Sequence, residues 1–282
     1  MARTLKGTEV AEALNSETIK EVEALKAGGV EPTLAILRVG ERADDVSYER
    51  GVARRAEKVG VAVRNIVLPA DAGQDALTKA IEALNADSSV HGVLMFRPLP
   101  PSLDEGVARN ALDPAKDVDG ITDASLAGVF AGANTGYAPC TPSACMELLD
   151  HYGIDPAGRS VVVVGRSLVV GKPVAMMLLG RNATVTVCHS RTKELFSVVR
   201  EADIVIACVG CAHLLGTDHL APGQIVIDVG INVADDGTLV GDVDFEAARG
   251  VVDALTPVPG GVGTVTTSVL VKHVVEAAMR QT

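Results

Sequence analysis

Four consecutive valines, Val161 to Val164, run directly into Gly165-Arg166-Ser167 and then Gly171-Lys172-Pro173. An unbroken β-branched run suits a strand buried on both faces, as in a parallel sheet. Gly165 ends the run where a tight turn needs a residue without a Cβ, and an apolar, helix-compatible stretch extends from Pro173 to Leu179. Strand, glycine turn and helix together aim backbone N–H groups and a helix N-terminus at a phosphate. The spacing is G-x-S-x-x-x-G rather than the G-x-G-x-x-G dinucleotide fingerprint. Taken alone, the stretch therefore serves equally as a βα turn with no ligand. The next segment of chain tips the balance toward a nucleotide. Ala183 to Cys188 reads as a second strand and ends in His189-Ser190-Arg191-Thr192. In such units the end of the second strand sets ribose specificity: an acid there favours NAD, whereas Ser190 and Arg191 suit a 2′-phosphate and so NADP.

The rest of the chain repeats the strand–helix alternation. Thr8 to Lys26 has helical spacing and stops at Gly28-Gly29, Thr33 to Val39 reads as a strand, Tyr48 to Lys58 as a basic helix ending at Gly60, and Val61 to Leu68 as a strand. Ala76 to Leu84 is a further helix and Val90 to Met95 a third strand, running into Phe96-Arg97-Pro98. This succession predicts an α/β fold with a parallel sheet in an N-terminal domain. Asp113 to Gly120 is charged and turn-forming, a plausible hinge, and a helix is expected from Ser143 to His151. The second unit continues with strands Ile204 to Cys208, Ile225 to Val229 and Val251 to Leu255, a glycine-rich turn from Thr256 to Gly263, and a C-terminal helix to about Met279.

Composition narrows the function classes. The chain has 282 residues, 48% hydrophobic and 22% charged, which is a globular profile of one large or two ordinary domains. A net charge of −11 argues against a nucleic-acid or anionic-membrane surface. With aromatics at 2% and no Trp, a stacking platform for bases is not available. No secretory leader is visible at Met1, and the uncharged stretch from Ser125 to Met146 is broken by Gly, Pro and Asn, so neither export nor a membrane span is expected. The five cysteines read as reduced thiols of a cytoplasmic protein. Cys208-Val209-Gly210-Cys211 has redox or metal spacing but no second C-x-x-C, and reads as a coincidence at a strand end; no metal site is expected.

Taken in order, Val39-Gly40…Tyr48, Pro98-Leu99-Pro100, Lys116-Asp117-Val118-Asp119-Gly120, Pro139-Cys140-Thr141-Pro142, Gly165-Arg166-Ser167…Gly171-Lys172-Pro173, Cys188-His189-Ser190-Arg191-Thr192, Asp228-Val229-Gly230-Ile231-Asn232, Gly241-Asp242-Val243 and Thr256-Pro257-Val258-Pro259-Gly260-Gly261-Val262-Gly263 resemble the bifunctional methylenetetrahydrofolate dehydrogenase/methenyltetrahydrofolate cyclohydrolases over essentially the whole chain. The resemblance implies two domains around a cleft: a folate-binding catalytic domain of residues 1–120 plus 265–282, and a Rossmann-like NADP-binding domain of residues 121–264 with a mainly parallel sheet. It also implies a homodimer, a reduced folate as substrate, and two reactions. The first is oxidation of 5,10-methylenetetrahydrofolate by hydride transfer to NADP. The second is hydrolysis of the methenyl product to 10-formyltetrahydrofolate. By position, Gly165, Arg166, Ser167 and Ile231 match the cofactor site, Tyr48 the tyrosine that packs on the folate, Asp119 the aspartate that binds the pterin, and Pro259, Gly260 and Gly261 the turn that closes the cleft.

The chain departs from the pattern at the hydrolytic end. The family's catalytic lysine, four residues after the tyrosine, is here Val52, and its glutamine partner is Phe96 within Phe96-Arg97-Pro98-Leu99-Pro100, where the family has Gln-Leu-Pro-Leu-Pro. Asp45 stands where a serine is usual, and Thr264-Val265-Thr266 where the family has Pro-Met-Thr. Loss of lysine and glutamine together avoids leaving one buried and unpaired. Without the resemblance, Tyr48 is an ordinary helix-start aromatic, Asp119 a solvated turn residue, and Arg50 and Arg54 a solvated helix face; with it, Arg54 is placed to meet the folate glutamate tail. Arg97 is placed to supply a cation, though a guanidinium is a poor base. The leading expectation is an NADP-dependent dehydrogenase whose cyclohydrolase is weak or lost. The alternatives are a fully bifunctional enzyme with Arg97, Asp45 or a bound water as substitute, a dehydrogenase of another reduced pterin, and a non-enzymatic dinucleotide-binding protein, which the intact cofactor motifs disfavour.

Overall fold

The computed structural model describes residues 1–281 and divides into two compact units. One unit comprises residues 13–140 and the chain from 267 onward. At its centre, strand Thr33–Val39, buried at every position, pairs in parallel with Ala62–Leu68 on one side and Gly92–Met95 on the other. Leu37, Leu77, Ile81, Val93, Met95 and Leu103 form the core beneath this sheet. The helix expected from Tyr48 begins at Ala43 and runs to Val59. Asp44 and Asp45 occupy its first turn, where carboxylates complement the N-terminal end of the helix dipole, and Gly60 closes it in the left-handed conformation at φ 85°. Val52, Ala56 and Val59, spaced to share one face, are its buried residues. A largely buried ion pair, Arg38 Nε to Glu49 Oε2 at 2.7 Å, ties this helix to the central strand one residue after Tyr48.

The stretch expected as a hinge is instead a junction. The Lys116 ammonium is buried and donates to the carbonyls of Leu84 (2.9 Å) and Asp87 (2.7 Å) at the end of helix Gln74–Ala86. Burial pulls its pKa below the ordinary lysine value. Asp117, fully buried, accepts from the Ile121 and Thr122 N–H groups and from the Ser125 hydroxyl, and so holds the start of helix Asp123–Ala131. Gly120 turns at φ 67°, where a Cβ would lie 2.5 Å from the Pro139 nitrogen. These ties explain why residues 121–140 cluster with this unit, whereas the sequence partition assigned them to the other.

The second unit comprises residues 1–12 and 141–266. Its six-stranded parallel sheet has the order Arg3–Thr4, Ala254–Leu255, Ile225–Asp228, Ile204–Ala207, Ser160–Val164, Thr184–Cys188. The α/β class and mainly parallel sheet expected from the valine run are thus present, and Val161 to Val164 are all buried. Residues 1–12 join this unit, not the first, because Arg3 and Thr4 pair with Ala254 and Leu255. Two further expectations need correction. The strand placed at Val251 to Leu255 is only Ala254–Leu255, since the Val251 N–H bonds back to the Ala248 carbonyl in a turn. The helix placed at Ser143 begins at Cys140. The hairpin of Asn232–Val233 with Leu239–Val240 had no period-2 run long enough to announce it.

Candidate active site

In the second unit the strand order reverses between Ser160–Val164 and Ile204–Ala207, and their carboxyl ends open into a cavity of about 590 Å³. Gly165, Arg166, Ser167, His189, Ser190 and Cys208 are among its lining residues. Gly165 has φ 136°, and a Cβ there would overlap the Cys208 carbonyl and lie 2.7 Å from the Cys208 sulfur. Only glycine lets these two strand ends approach so closely. Gly171, at the start of helix Gly171–Gly180, would collide with the Gly165 carbonyl in the same way. The Ser167 hydroxyl accepts from the Val170 N–H at 3.1 Å and the Gly171 N–H at 3.5 Å, which folds the turn onto the helix start. Arg191 is exposed beside the cavity, its N–H donating to His189 Nδ1 at 3.1 Å. It is not among the residues that line the cavity.

Beneath this cavity lies a feature visible in the sequence only as motif letters. Asp242, with no solvent exposure, accepts from the N–H groups of Val209 (2.6 Å), Gly210 (3.1 Å) and Cys211 (2.9 Å) and from Asn232 Nδ2 (3.1 Å). A second buried carboxylate, Asp228, in turn accepts from the N–H groups of Gly230, Asp242 and Val243. Burial pushes the Asp228 carboxyl up to about 7 despite those three donors. The shape of the loop at Cys208-Val209-Gly210-Cys211 thus depends on buried carboxylates rather than on its cysteines. All five cysteines are free thiols, and among the described residues no group of three or more His, Cys, Asp or Glu is placed to hold a metal. Ile231, Pro259, Gly260 and Gly261 line a separate cavity of about 200 Å³ in the same unit, where Gly260 turns at φ 101° and accepts the Gly7 N–H at 2.8 Å.

The first unit carries a pocket of about 300 Å³ at the carboxyl ends of its strands, lined by Arg42, Asp45, Tyr48, Phe96, Arg97 and Asp119 together with Asp44, Leu94 and Met95. Tyr48 and Phe96 face each other with ring centroids 5.7 Å apart and planes tilted by 50°. Burial of the phenol oxygen, aided by the nearby Asp119 charge, raises the Tyr48 pKa, so its hydroxyl stays protonated. Asp119 comes directly after Val118, whose carbonyl is gripped by His273 Nδ1 at 2.9 Å and by the Cys140 thiol at 3.3 Å. Burial pushes the Asp119 carboxyl up to about 6, against the lowering effect of the Arg97 guanidinium. Tyr48, Phe96 and Asp119 are thus brought together. Val52 is fully buried and does not line this pocket, and Arg50 and Arg54 are exposed on the same helix.

In open α/β sheets, ligands bind outside the carboxyl ends of the strands where the order reverses, and here that crevice is built from glycines too crowded for any other residue. This places the chain in the class of doubly wound α/β proteins with a dinucleotide-type crevice. Comparison with known proteins supplies the family. Residues 5–119 match the tetrahydrofolate dehydrogenase/cyclohydrolase catalytic domain, and residues 139–282 match the NAD(P)-binding domain of the same family. The chain is 47% identical over 281 residues to the bifunctional protein FolD of Alkaliphilus oremlandii, covering 100% of this chain and 99% of that one. Among solved structures it is similar to the bifunctional FolD methylenetetrahydrofolate dehydrogenase/cyclohydrolase of Campylobacter jejuni, with 37% identity, full coverage of both chains and a TM-score of 0.97. It is also similar to the Trypanosoma brucei enzyme complexed with NADP and an inhibitor, with 36% identity, coverage of 99% and 98%, and a TM-score of 0.92. The chain belongs to the tetrahydrofolate dehydrogenase/cyclohydrolase family.

Proposed function

We propose that this protein is an NADP-dependent 5,10-methylenetetrahydrofolate dehydrogenase in which the cyclohydrolase step is weak or absent. The observation that carries this reading is the pairing of an intact cofactor crevice with apolar side chains at positions 52 and 96. Val52 has no solvent exposure and Phe96 only 7%, and neither side chain can hold or move a proton. The crevice suits a dinucleotide because Gly165 and Gly171 let the strand end, the turn and the helix start close up tightly, which leaves a helix N-terminus beside the cavity where a pyrophosphate can bind. Bound NADP supplies the hydride acceptor, which leaves the protein chiefly the tasks of binding and alignment. In this reading Gly165, Arg166, Ser167, Ser190, Arg191 and Ile231 bind the cofactor, and Tyr48, Asp119, Pro259, Gly260 and Gly261 bind the folate. The protein works as a cytoplasmic homodimer. Among the described residues no helix is long and apolar enough to cross a membrane.

The deciding experiment monitors NADPH formation by purified protein supplied with methylenetetrahydrofolate; no reduction of NADP under any folate concentration overturns the reading. Two variants sharpen it. Arg191→Ala is expected to weaken NADP binding about tenfold or more while leaving NAD unchanged, since a charge-assisted bond to a phosphate contributes roughly 1.5–3 kcal/mol. Equal losses for both cofactors would remove Arg191 from the 2′-phosphate site. Asp119→Asn is expected to weaken folate binding at least about tenfold by the same arithmetic, read by equilibrium titration. A second reading, full bifunctionality, has two observations in its favour: the relatives from Alkaliphilus oremlandii and Campylobacter jejuni are bifunctional proteins, and Arg97 and Asp45 both line the pocket and are polar.

A further inference from the structure

We propose that Arg97 is a positioning residue for Asp119: its guanidinium, set between two carboxylates, keeps the Asp119 carboxylate ionised and turned into the pocket, a task for which the leucine usual at this position in the family motif has no charge. The inference rests on the folate-binding reading of this pocket. Arg97 lies between two carboxylates, with Nη1 3.5 Å from Glu105 Oε1 and Nη2 3.9 Å from Asp119 Oδ2. Its side chain and that of Asp119 retain only 24% and 26% exposure, so solvent screens the pair incompletely. The two residues enter from different elements. Arg97 leaves the end of strand Gly92–Met95, and Asp119 sits on the segment whose neighbours Lys116 and Asp117 are tied into the fold.

Burial favours the neutral form of Asp119, and Asp117, two residues back and committed to three donors of its own, adds to that. Arg97 and the Cys140 thiol oppose it. Tyr48, across the pocket, is protonated and uncharged. Arg42, Asp44 and Asp45 line the same pocket, and Arg42 Nε lies 3.8 Å from Asp45 Oδ2. The Arg97 guanidinium lies within 4 Å of Asp119. A guanidinium does not deprotonate in the working range, so its support is constant with pH, whereas an ammonium in the same half-buried place would itself shift. An ionised carboxylate accepts with both oxygens and makes the stronger, charge-assisted bonds to the amino edge of a pterin, whereas the neutral acid turns one oxygen into a donor. Asp119 titrates near 6, above the ordinary aspartate value, so ligand affinity is expected to be full above that pH and to fall as pH drops through it.

Removing Arg97 should raise this midpoint toward neutrality. An opposite charge at such a distance lowers a carboxyl pKa by about one unit or more, and each unit is about tenfold in the ionised-to-neutral ratio. The test compares wild type, Arg97→Leu, Arg97→Lys and Asp119→Asn in the full-length protein. Carbon-13 NMR of side-chain carboxyls, with Asp119→Asn to assign the resonance, gives the midpoint in the absence of any ligand. Titration with tetrahydrofolate across the same pH range gives the binding limb. The expected result is an upward shift of both midpoints by about one unit in Arg97→Leu, with substantial return in Arg97→Lys. An unchanged Asp119 midpoint in Arg97→Leu, with losses confined to thermal stability or to turnover at every pH, overturns the proposal. If wild type binds no tetrahydrofolate, the folate reading falls; the ligand-free NMR midpoints still decide whether Arg97 governs Asp119.

Discussion

Methenyltetrahydrofolate should build up as a persistent product when the wild-type protein turns over methylenetetrahydrofolate with NADP, and the double variant Val52→Lys, Phe96→Gln should consume it. Hydrolysis needs water to add at the methenyl carbon and protons to move as the ring opens. A positioned acid–base group contributes about 10²–10⁴ in rate to such a step, equivalent to roughly 3–5.5 kcal/mol of barrier. Neither native side chain supplies one. The two substitutions must be made together. Position 52 has no solvent exposure, so a lone lysine there would be desolvated, its pKa lowered and its N–H groups left without partners. Phe96 packs against Tyr48, and its replacement by glutamine would put an amide beside the folate pocket. Val52→Lys alone is therefore expected to destabilise the protein and to hydrolyse poorly, and the pair to raise methenyl disappearance by at least about a hundredfold. Wild-type protein that already clears the methenyl compound rapidly would sink this view and shift attention to Asp45 and Arg97.

Loss of the Asp242 carboxylate should be felt across the cofactor crevice. Asp242→Ala removes the acceptor for three successive backbone N–H groups and for Asn232. Bonds to a buried charge are worth roughly 1.5–3 kcal/mol each, though residues 209–211 are close enough to solvent for water to recover part of that. A net local cost of about 3 kcal/mol is expected, or a loss of about two decades of amide protection at Val209, Gly210 and Cys211. Hydrogen exchange reads this directly, without assuming that the two units unfold together. Because Cys208 and Val209 line the crevice, NADP affinity should fall by at least about tenfold alongside. Unchanged protection at these three amides would mean that the loop is held by something other than Asp242.

The parts of the fold that the chain discloses in advance obey local rules. Thr33–Val39 was legible to the residue because seven apolar and β-compatible positions are bounded by Pro32 and Gly40. The valine run and its glycine were legible because burial on both faces and a positive φ each leave a mark on residue type. The start of helix Ala43–Val59 was misjudged because Asp44 and Asp45 resemble a loop until they are seen as first-turn residues. Arg3–Thr4 could not be read at all: a two-residue strand has no period, and its partner is 251 positions away. Asp228 and Asp242 stand in the sequence only as letters of a motif. Nothing in their neighbourhood says that these carboxylates, unlike Asp235 and Asp236 nearby, are buried and spend their oxygens on backbone N–H groups. The pocket was legible only through the family pattern, since Tyr48, Phe96 and Asp119 come from three separate segments.

Residues 116 to 119 are cross-wired: one position caps a helix, the next begins another, the third lends its carbonyl to His273 and Cys140, and the fourth faces the pocket. Positions 52 and 96 contrast with this: both are buried apolar side chains, and Phe96 packs its ring on Tyr48. Random change is filtered very differently at the two places. A substitution in the first is expected to disturb folding and recognition at once, whereas a paired exchange of apolar for apolar side chains in the second is expected to leave the scaffold standing. On the reading proposed above, one reaction of a two-reaction enzyme could be shed or regained in few steps, while the segment that faces the ligand pocket stays tied into the scaffold.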